Sequence, residues 1–340
     1  MQSISCAGGW IAAAWILMTS MAVAKDQVTY ATGPDGGGRT TIRGSILEYT
    51  GQRLILQPSI GSQREIPAQQ VLEVSTDWSP TKVKADQTFY DHQYDQALRL
   101  YGQALGDESR IWAQREILAQ MICCLRQLER IEQAAEYFLR LLQSDPETIW
   151  FGRIPLSWQA EQPPPALEKR AEQWMRNNDS PAARLIGASW LLATRDRAAA
   201  IETLQRLTSQ SQIQIASLAT AQLWRTQTAT VDEMELKRWG DLLQKMPREV
   251  RPGALYVYGE GLAAREHRER AALAWLRIAL LYADHDRSLA ARGLLRAGRE
   301  LERSGDPAQA ALLYREILRD YGGTTIARQA TTRLESLEGD

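Results

Sequence analysis

The spacing of hydrophobic positions changes once along the chain, near residue 78. Before it, apolar and polar residues alternate, and glycine-bearing turns such as Thr50-Gly51 interrupt the alternation. This pattern predicts four short strands: Thr41–Thr50, Arg53–Gln57, Arg64–Ile66 and Val71–Ser75. We expect a small antiparallel β module at 39–77, rolled into a barrel-like form and preceded by a flexible, glycine-rich lead-in at 25–38.

From Ser79 onward the apolar residues recur at the spacing of a helix, and one sequence motif repeats along the chain. Four copies share an alanine followed four positions later by a large aromatic residue: Ala97 and Tyr101, Ala134 and Phe138, Ala271 and Trp275, Ala310 and Tyr314. Each copy follows another amphipathic helix and a short turn. Ser79-Pro80 and Asp306-Pro307 are typical helix starts, with a capping residue before proline. Helical hairpins in series are therefore expected over 79–337, and a boundary is expected near Trp78.

This arrangement resembles the tetratricopeptide repeat (TPR), a helical hairpin of about 34 residues in which small residues let two helices approach closely. The resemblance rests on Ala85, Ala97, Tyr101 and Ala104 in the first copy and on Gly298, Ala310 and Tyr314 in the last. It implies a mainly α fold: a right-handed α-solenoid of about six hairpins, closed by a capping helix at 324–337. The first β-hairpin, from Gly44 to Leu56, resembles those of SH3-like and Sm-like barrels.

An irregular loop is predicted at 150–165, because Ile154-Pro155 and Pro163-Pro164-Pro165 forbid a continuous helix. One interpretation is a repeat that has lost its first helix and become an ordered loop. The other is a loop inserted for a partner, with Trp150, Phe151 and Trp158 as aromatic anchors.

The first 24 residues carry no Lys, Arg, Asp or Glu, and they end in Ala22-Val23-Ala24, a small-x-small cleavage pattern. We therefore predict a signal peptide at 1–24 and a protein exported to the periplasm or the extracellular space. An uncleaved membrane anchor is the alternative, because the apolar stretch approaches the length that spans a bilayer. No membrane span is expected after this segment.

Charge and chemistry exclude several classes of function. Forty basic residues against 41 acidic ones give a net charge of −1, which argues against a nucleic-acid binder. The three histidines, His92, His267 and His285, lack metal-ligand spacing, and Asp284-His285-Asp286 is interpreted as a solvated loop. Cys123 and Cys124 are adjacent and are expected as packed thiols. No catalytic motif, metal or cofactor is predicted.

In the TPR family, the first helix of each hairpin lines a concave groove. Mapping the last hairpins onto the repeat places five residues there: Tyr256, Glu260, Arg292, Arg299 and Glu302. We expect Tyr256 to present a flat apolar surface outside the core, of the kind enriched at contact hot spots.

The expected function is a non-catalytic scaffold or adaptor of the bacterial cell envelope that binds a partner protein or peptide. A peptidoglycan- or glycan-binding module and an unrecognised exported enzyme are the alternatives.

Overall fold

The computed structural model describes residues 26–33, 37–283 and 286–339, so the predicted signal peptide lies outside the described residues. Five strands come first: β1 (Asp26–Thr32), β2 (Gly38–Tyr49), β3 (Arg53–Pro58), β4 (Arg64–Pro67) and β5 (Val71–Ser75). Fourteen α-helices follow in the described chain: α1 (Pro80–Tyr90), α2 (Tyr94–Asp107), α3 (Ile111–Gln127), α4 (Ile131–Ser144), α5 (Pro165–Met175), α6 (Pro181–Leu191), α7 (Arg197–Leu207), α8 (Ile213–Trp224), α9 (Glu233–Lys245), α10 (Arg251–Ala264), α11 (Arg268–Tyr282), α12 (Arg287–Arg303), α13 (Pro307–Asp320) and α14 (Thr325–Gly339). The protein is thus mainly helical with a small sheet at its N-terminal end. Within the described residues, every helix is too short or too polar to cross a bilayer.

The sheet is antiparallel, in the order β4-β3-β2-β1-β5. The prediction of a flexible lead-in at 25–38 is wrong for most of its described part, because residues 26–32 form β1. This strand lies between β2 and β5, and Val28 on it is fully buried. Asp26 fixes its start, since the carboxylate accepts a hydrogen bond from the backbone N–H of Ile46 at 2.7 Å. The strand is therefore stabilised by pairing with β2, the next strand along the chain, and with β5, which is distant in sequence.

The sheet and the helices share one hydrophobic cluster. Trp112 and Ala113 on α3 are buried among the apolar side chains of the sheet, and the Trp78 ring lies 5.9 Å from the Trp112 ring. The Arg115 guanidinium, also on α3, donates a buried hydrogen bond of 3.1 Å to the backbone carbonyl of Tyr49. The expected boundary near Trp78 therefore marks a change of secondary structure, and the hydrophobic cluster of the sheet extends across it to two residues of α3.

A polar network joins the same two parts beside this cluster. The Arg110 guanidinium donates to the Thr76 hydroxyl at 2.7 Å and forms an ion pair of 2.8 Å with Glu108. Asp26 lies 3.5 Å from the same guanidinium. Hydrogen bonding to Arg110 lowers the pKa of the Glu108 carboxyl below its ordinary value. The network thus orders the chain where the sheet meets α3.

In each of the four hairpins predicted from the repeated motif, the same type of turn connects the two helices. The residue five positions before the motif alanine has a left-handed backbone conformation in each: φ is 62° at His92, 58° at Glu129, 62° at Glu266 and 82° at Gly305. In each turn, the backbone N–H of the residue after the left-handed one donates to the carbonyl five positions earlier, as at a Schellman-type helix end. These pairs are Gln93 to Thr88, Arg130 to Leu125, His267 to Leu262 and Asp306 to Leu301. This turn ends the first helix of each hairpin and begins the second.

Small residues on the first helix bring it close to the aromatic residue of the second. A Cβ on Gly298 would lie 2.6 Å from the Tyr314 ring, and one on Gly259 would lie 2.5 Å from the Trp275 indole. Tyr314 and Trp275 are almost fully buried. The predicted helix start at Asp306 is also confirmed, because its carboxylate caps α13 by accepting from the Gln309 N–H.

Helices from the first two hairpins contact helices near the C-terminal end of the array. Arg126 at the end of α3 and Asp286 before α12 form a buried ion pair of 2.6 Å. Nearby, the His92 ring hydrogen-bonds the carbonyl of Arg319 at 3.1 Å. Asp286 is 3 % exposed and caps α12, so the interpretation of 284–286 as a solvated loop is wrong for this residue, while Asp284 and His285 lie outside the described residues.

Candidate functional site

The irregular segment at 150–165 lies inside the helical array. Between α4 and α5 it contains one described helical turn, the 3-10 turn Phe151–Arg153. Phe151 is fully buried and packs edge-on against Phe138 of α4, with ring centroids 5.7 Å apart. Trp158 is 8 % exposed and packs against α10, where a Cβ on Gly253 would lie only 1.9 Å from its indole. Trp150 is partly buried against the same core.

These positions correct the prediction that the three aromatic residues are partner anchors. Phe151 and Trp158 belong to the largest hydrophobic cluster, where their apolar area is removed from water by the protein's own helices. The other interpretation, an ordered loop in place of a helix, agrees with the packing.

Polar side chains of neighbouring helices hold the backbone of the segment. The Ser157 N–H donates to the Ser189 hydroxyl of α6 at 3.2 Å, and the Ser157 carbonyl accepts from the Gln222 amide of α8 at 3.0 Å. The Trp190 indole N–H donates to the carbonyl of Pro155 at 2.9 Å. Buried irregular backbone must satisfy its polar groups, and α6 and α8 supply three of the partners that it needs here.

The expectation that Tyr256 presents an apolar surface outside the core is wrong. Its side chain is 1 % exposed, and burial raises the pKa of its hydroxyl. The hydroxyl accepts a hydrogen bond from Arg296 at 3.3 Å, and its backbone carbonyl accepts from the Trp275 indole at 3.0 Å. The cause is the packing of the neighbouring helices, because Trp275 of α11 and Arg296 of α12 lie against Tyr256.

The other four predicted groove residues are partly exposed. Glu260 forms an ion pair of 2.8 Å with Arg296, and burial raises the pKa of the Glu260 carboxyl. Glu302 is paired with Arg333 of α14. Arg299 has a weak contact of 3.5 Å with the amide of Gln329. The structure therefore spreads these residues over α10 and α12 and ties two of them into ion pairs.

Arg292 lies apart from these pairs, at a groove of about 380 Å³ where the two ends of the array meet. The groove is bounded by the irregular segment over 155–164, by Trp190 of α6, and by Arg126 and Ile131 from the first hairpins. Arg292 is the one predicted site residue on α12 that lines this groove. Both charged and apolar groups face it, as is usual for protein and peptide contacts.

A second cavity, of about 150 Å³, lies on the other side of Trp158. Arg197, Arg225, Thr228 and Glu260 line it together with apolar side chains. Sequence reasoning missed the two arginines, because they stand on different helices and form no recognisable spacing. The folding of α7 and α8 beside residues 158–160 places them at one cavity.

Two other chemically interesting groups are present. The carboxylates of Glu168, Glu172 and Asp196 lie within 4.8 Å of one another, but Glu172 is paired with arginine side chains. Cys124 is fully buried, and burial raises the pKa of its thiol, whereas Cys123 is partly exposed. The prediction of packed thiols is confirmed for Cys124.

Comparison with known proteins adds no assignment: no protein-family model matches the chain, and no curated protein matches it.

Proposed function

We propose that this chain is a non-catalytic scaffold or adaptor of a bacterial cell envelope, built on a right-handed TPR-like α-solenoid that follows an SH3-like module. The observation that carries the proposal is the recurrent turn, with a left-handed residue five positions before the motif alanine in four hairpins. Stacked helical hairpins serve mainly as extended binding surfaces, which is why the repeat favours a binding function over catalysis.

The proposed partner is a protein or peptide of the envelope, bound at the groove that contains Arg292. Two features support this location. The Arg292 guanidinium is partly exposed there, and the neighbouring Trp190 and Ile131 supply apolar area for a partner to bury. Arginine beside buried apolar area is a combination enriched at contact hot spots.

Export is the first part of the proposal to test. If residues 1–24 form a cleaved signal, protein recovered from the producing cell begins at Lys25 and is found outside the cytoplasm. N-terminal sequencing that recovers Met1 on membrane-bound protein would favour the anchor alternative.

Binding is tested by affinity capture from envelope extract with the chain from Lys25, followed by mass spectrometry and by titration with the purified candidate. Arg292→Glu is expected to weaken binding of a genuine partner by at least tenfold, because it reverses a charge at the proposed contact. Arg140→Glu on the exposed face of α4 is the matched control, with the same charge change away from the groove.

Equal binding by wild type and both variants would exclude this groove. Sedimentation with purified cell wall in the absence of any protein partner would favour the glycan-binding alternative and contradict the scaffold proposal.

A further inference from the structure

The cavity beside Trp158 holds two guanidinium groups that have no carboxylate partner among the described residues. Arg225, at the end of α8, donates from Nη1 to the carbonyl of Ser189 at 3.0 Å and to the side-chain oxygen of Gln222 at 2.5 Å. From Nη2 it donates to the carbonyl of Gln159. These are neutral acceptors, so they orient the guanidinium without neutralising its charge. Of the five N–H donors of an arginine, three are used in this way.

Arg197 approaches the same cavity from the start of α7. It donates from Nη1 to the carbonyl of Leu192 at 2.9 Å, again a neutral acceptor. The only carboxylate that lines the cavity in the described structure, that of Glu260, is already paired with Arg296 at 2.8 Å. The cavity therefore carries an excess of positive charge.

Partial removal from water makes this excess of positive charge unfavourable. Arg225 is half-buried, and burial lowers the pKa of its guanidinium to about 10. The nearby Glu260 carboxylate opposes this shift, and the Arg197 charge adds to it. A buried cation without a counter-ion is unfavourable, and proteins usually pair such a group. A bound anion would supply the missing partner.

We propose that this cavity binds a tetrahedral oxyanion, either as free phosphate or as the phosphate group of a monoester. Two guanidinium groups from different helices match the charge of a phosphate dianion, and arginine N–H groups fit its oxygens in paired hydrogen bonds. The hydroxyl of Thr228, at the same cavity, is a further donor. A cavity of about 150 Å³ admits such an ion, since about 10–15 Å³ is enough for one water.

The site goes beyond the proposed scaffold function and does not depend on it. The test is isothermal titration calorimetry of the purified chain with inorganic phosphate, in a zwitterionic buffer at low ionic strength where charge interactions are little screened. We expect saturable binding, weakened by about tenfold to a hundredfold in Arg197→Gln. This variant is expected to fold, because Arg197 is exposed apart from its one hydrogen bond to Leu192.

Arg206→Gln is the matched control, since Arg206 is an exposed arginine on the same helix that pairs with Glu202 outside the cavity. It is expected to bind phosphate as wild type does. Arg225→Lys keeps the positive charge but loses the planar guanidinium with its paired N–H donors. This variant is therefore expected to bind phosphate more weakly than wild type. Circular dichroism of each variant establishes that it is folded.

Glycerol 3-phosphate and acetate distinguish the possible ligands. Tighter binding of glycerol 3-phosphate than of phosphate assigns the site to a phosphate monoester, and the reverse order assigns it to the free ion. Acetate that binds as tightly as phosphate, an absence of saturable binding, or unchanged binding by folded Arg197→Gln would each overturn the proposal.

Discussion

The packing of Trp158 against α10 makes a quantitative prediction for Gly253→Ala. The new Cβ would lie 1.9 Å from the indole ring, whereas ordinary contact begins near 3.4 Å, so the ring must move by about 1.5 Å. Trp158 is nearly buried and its neighbour Ser157 is held by two hydrogen bonds to α6 and α8, which oppose this movement.

The expected cost follows from two opposed effects. Overpacking of a well-packed core costs about 1–3 kcal/mol. Replacing a helical glycine by alanine contributes up to about 1 kcal/mol in the opposite direction. We therefore expect Gly253→Ala to lower the free energy of unfolding by about 1–2 kcal/mol.

Gly102→Ala is the matched control, because Gly102 is also helical, is exposed, and meets only the flexible end of Met121 at 4.0 Å. It is expected to leave stability unchanged or raise it by up to about 1 kcal/mol. The measurement is urea unfolding followed by far-ultraviolet circular dichroism, with equal slopes required for the comparison. If Gly253→Ala proves as stable as Gly102→Ala, the interior position of Trp158 is refuted.

Three further predictions concern the rest of the chain. Arg115→Ala is expected to lower the free energy of unfolding by about 2–3 kcal/mol in urea, because the buried carbonyl of Tyr49 and the carbonyl of Ser144 at the end of α4 lose their donor. Glu108, whose pKa is lowered in the folded state, contributes stability that is complete above its unfolded pKa near 4.5 and is lost as the pH falls below it. Glu108→Gln should therefore show a smaller loss of thermal stability than wild type between pH 5 and pH 3; an equal loss would contradict the role of its pairing with Arg110. A thiol reagent should modify Cys123 in the native protein but reach Cys124 only in denaturant; rapid native labelling of both would contradict the burial of Cys124.

The repeated motif was predictable because it is local. An alanine and an aromatic residue four positions apart lie on one helix face, and both face the partner helix of the same hairpin. The strand β1 was harder, since Asp26–Thr32 pairs with β5, which is distant in sequence. Its alternation is also short and is followed directly by glycines that are typical of a flexible segment.

The error at Tyr256 has a different origin. Mapping onto a repeat assumes that the inner helix faces are open, but here Trp275 of α11 and Arg296 of α12 pack against Tyr256. A signal for this was present in the sequence, because Ala254, Leu255, Tyr256 and Val257 are consecutive apolar residues, and a helix that is apolar on all sides is buried. The course of the segment itself depends on tertiary contacts and has no sequence signature.

The ion pair between Arg126 and Asp286 affects how the helical array unfolds. An open repeat array contacts only its neighbours and so frays from either end. Here residues 160 positions apart in sequence are joined, so α3 and the start of α12 are held by each other as well as by their neighbours in sequence. During synthesis this junction forms only after α12 has emerged from the ribosome. The array is therefore completed in one late step, and a chain truncated before α12 leaves the end of α3 without its partner.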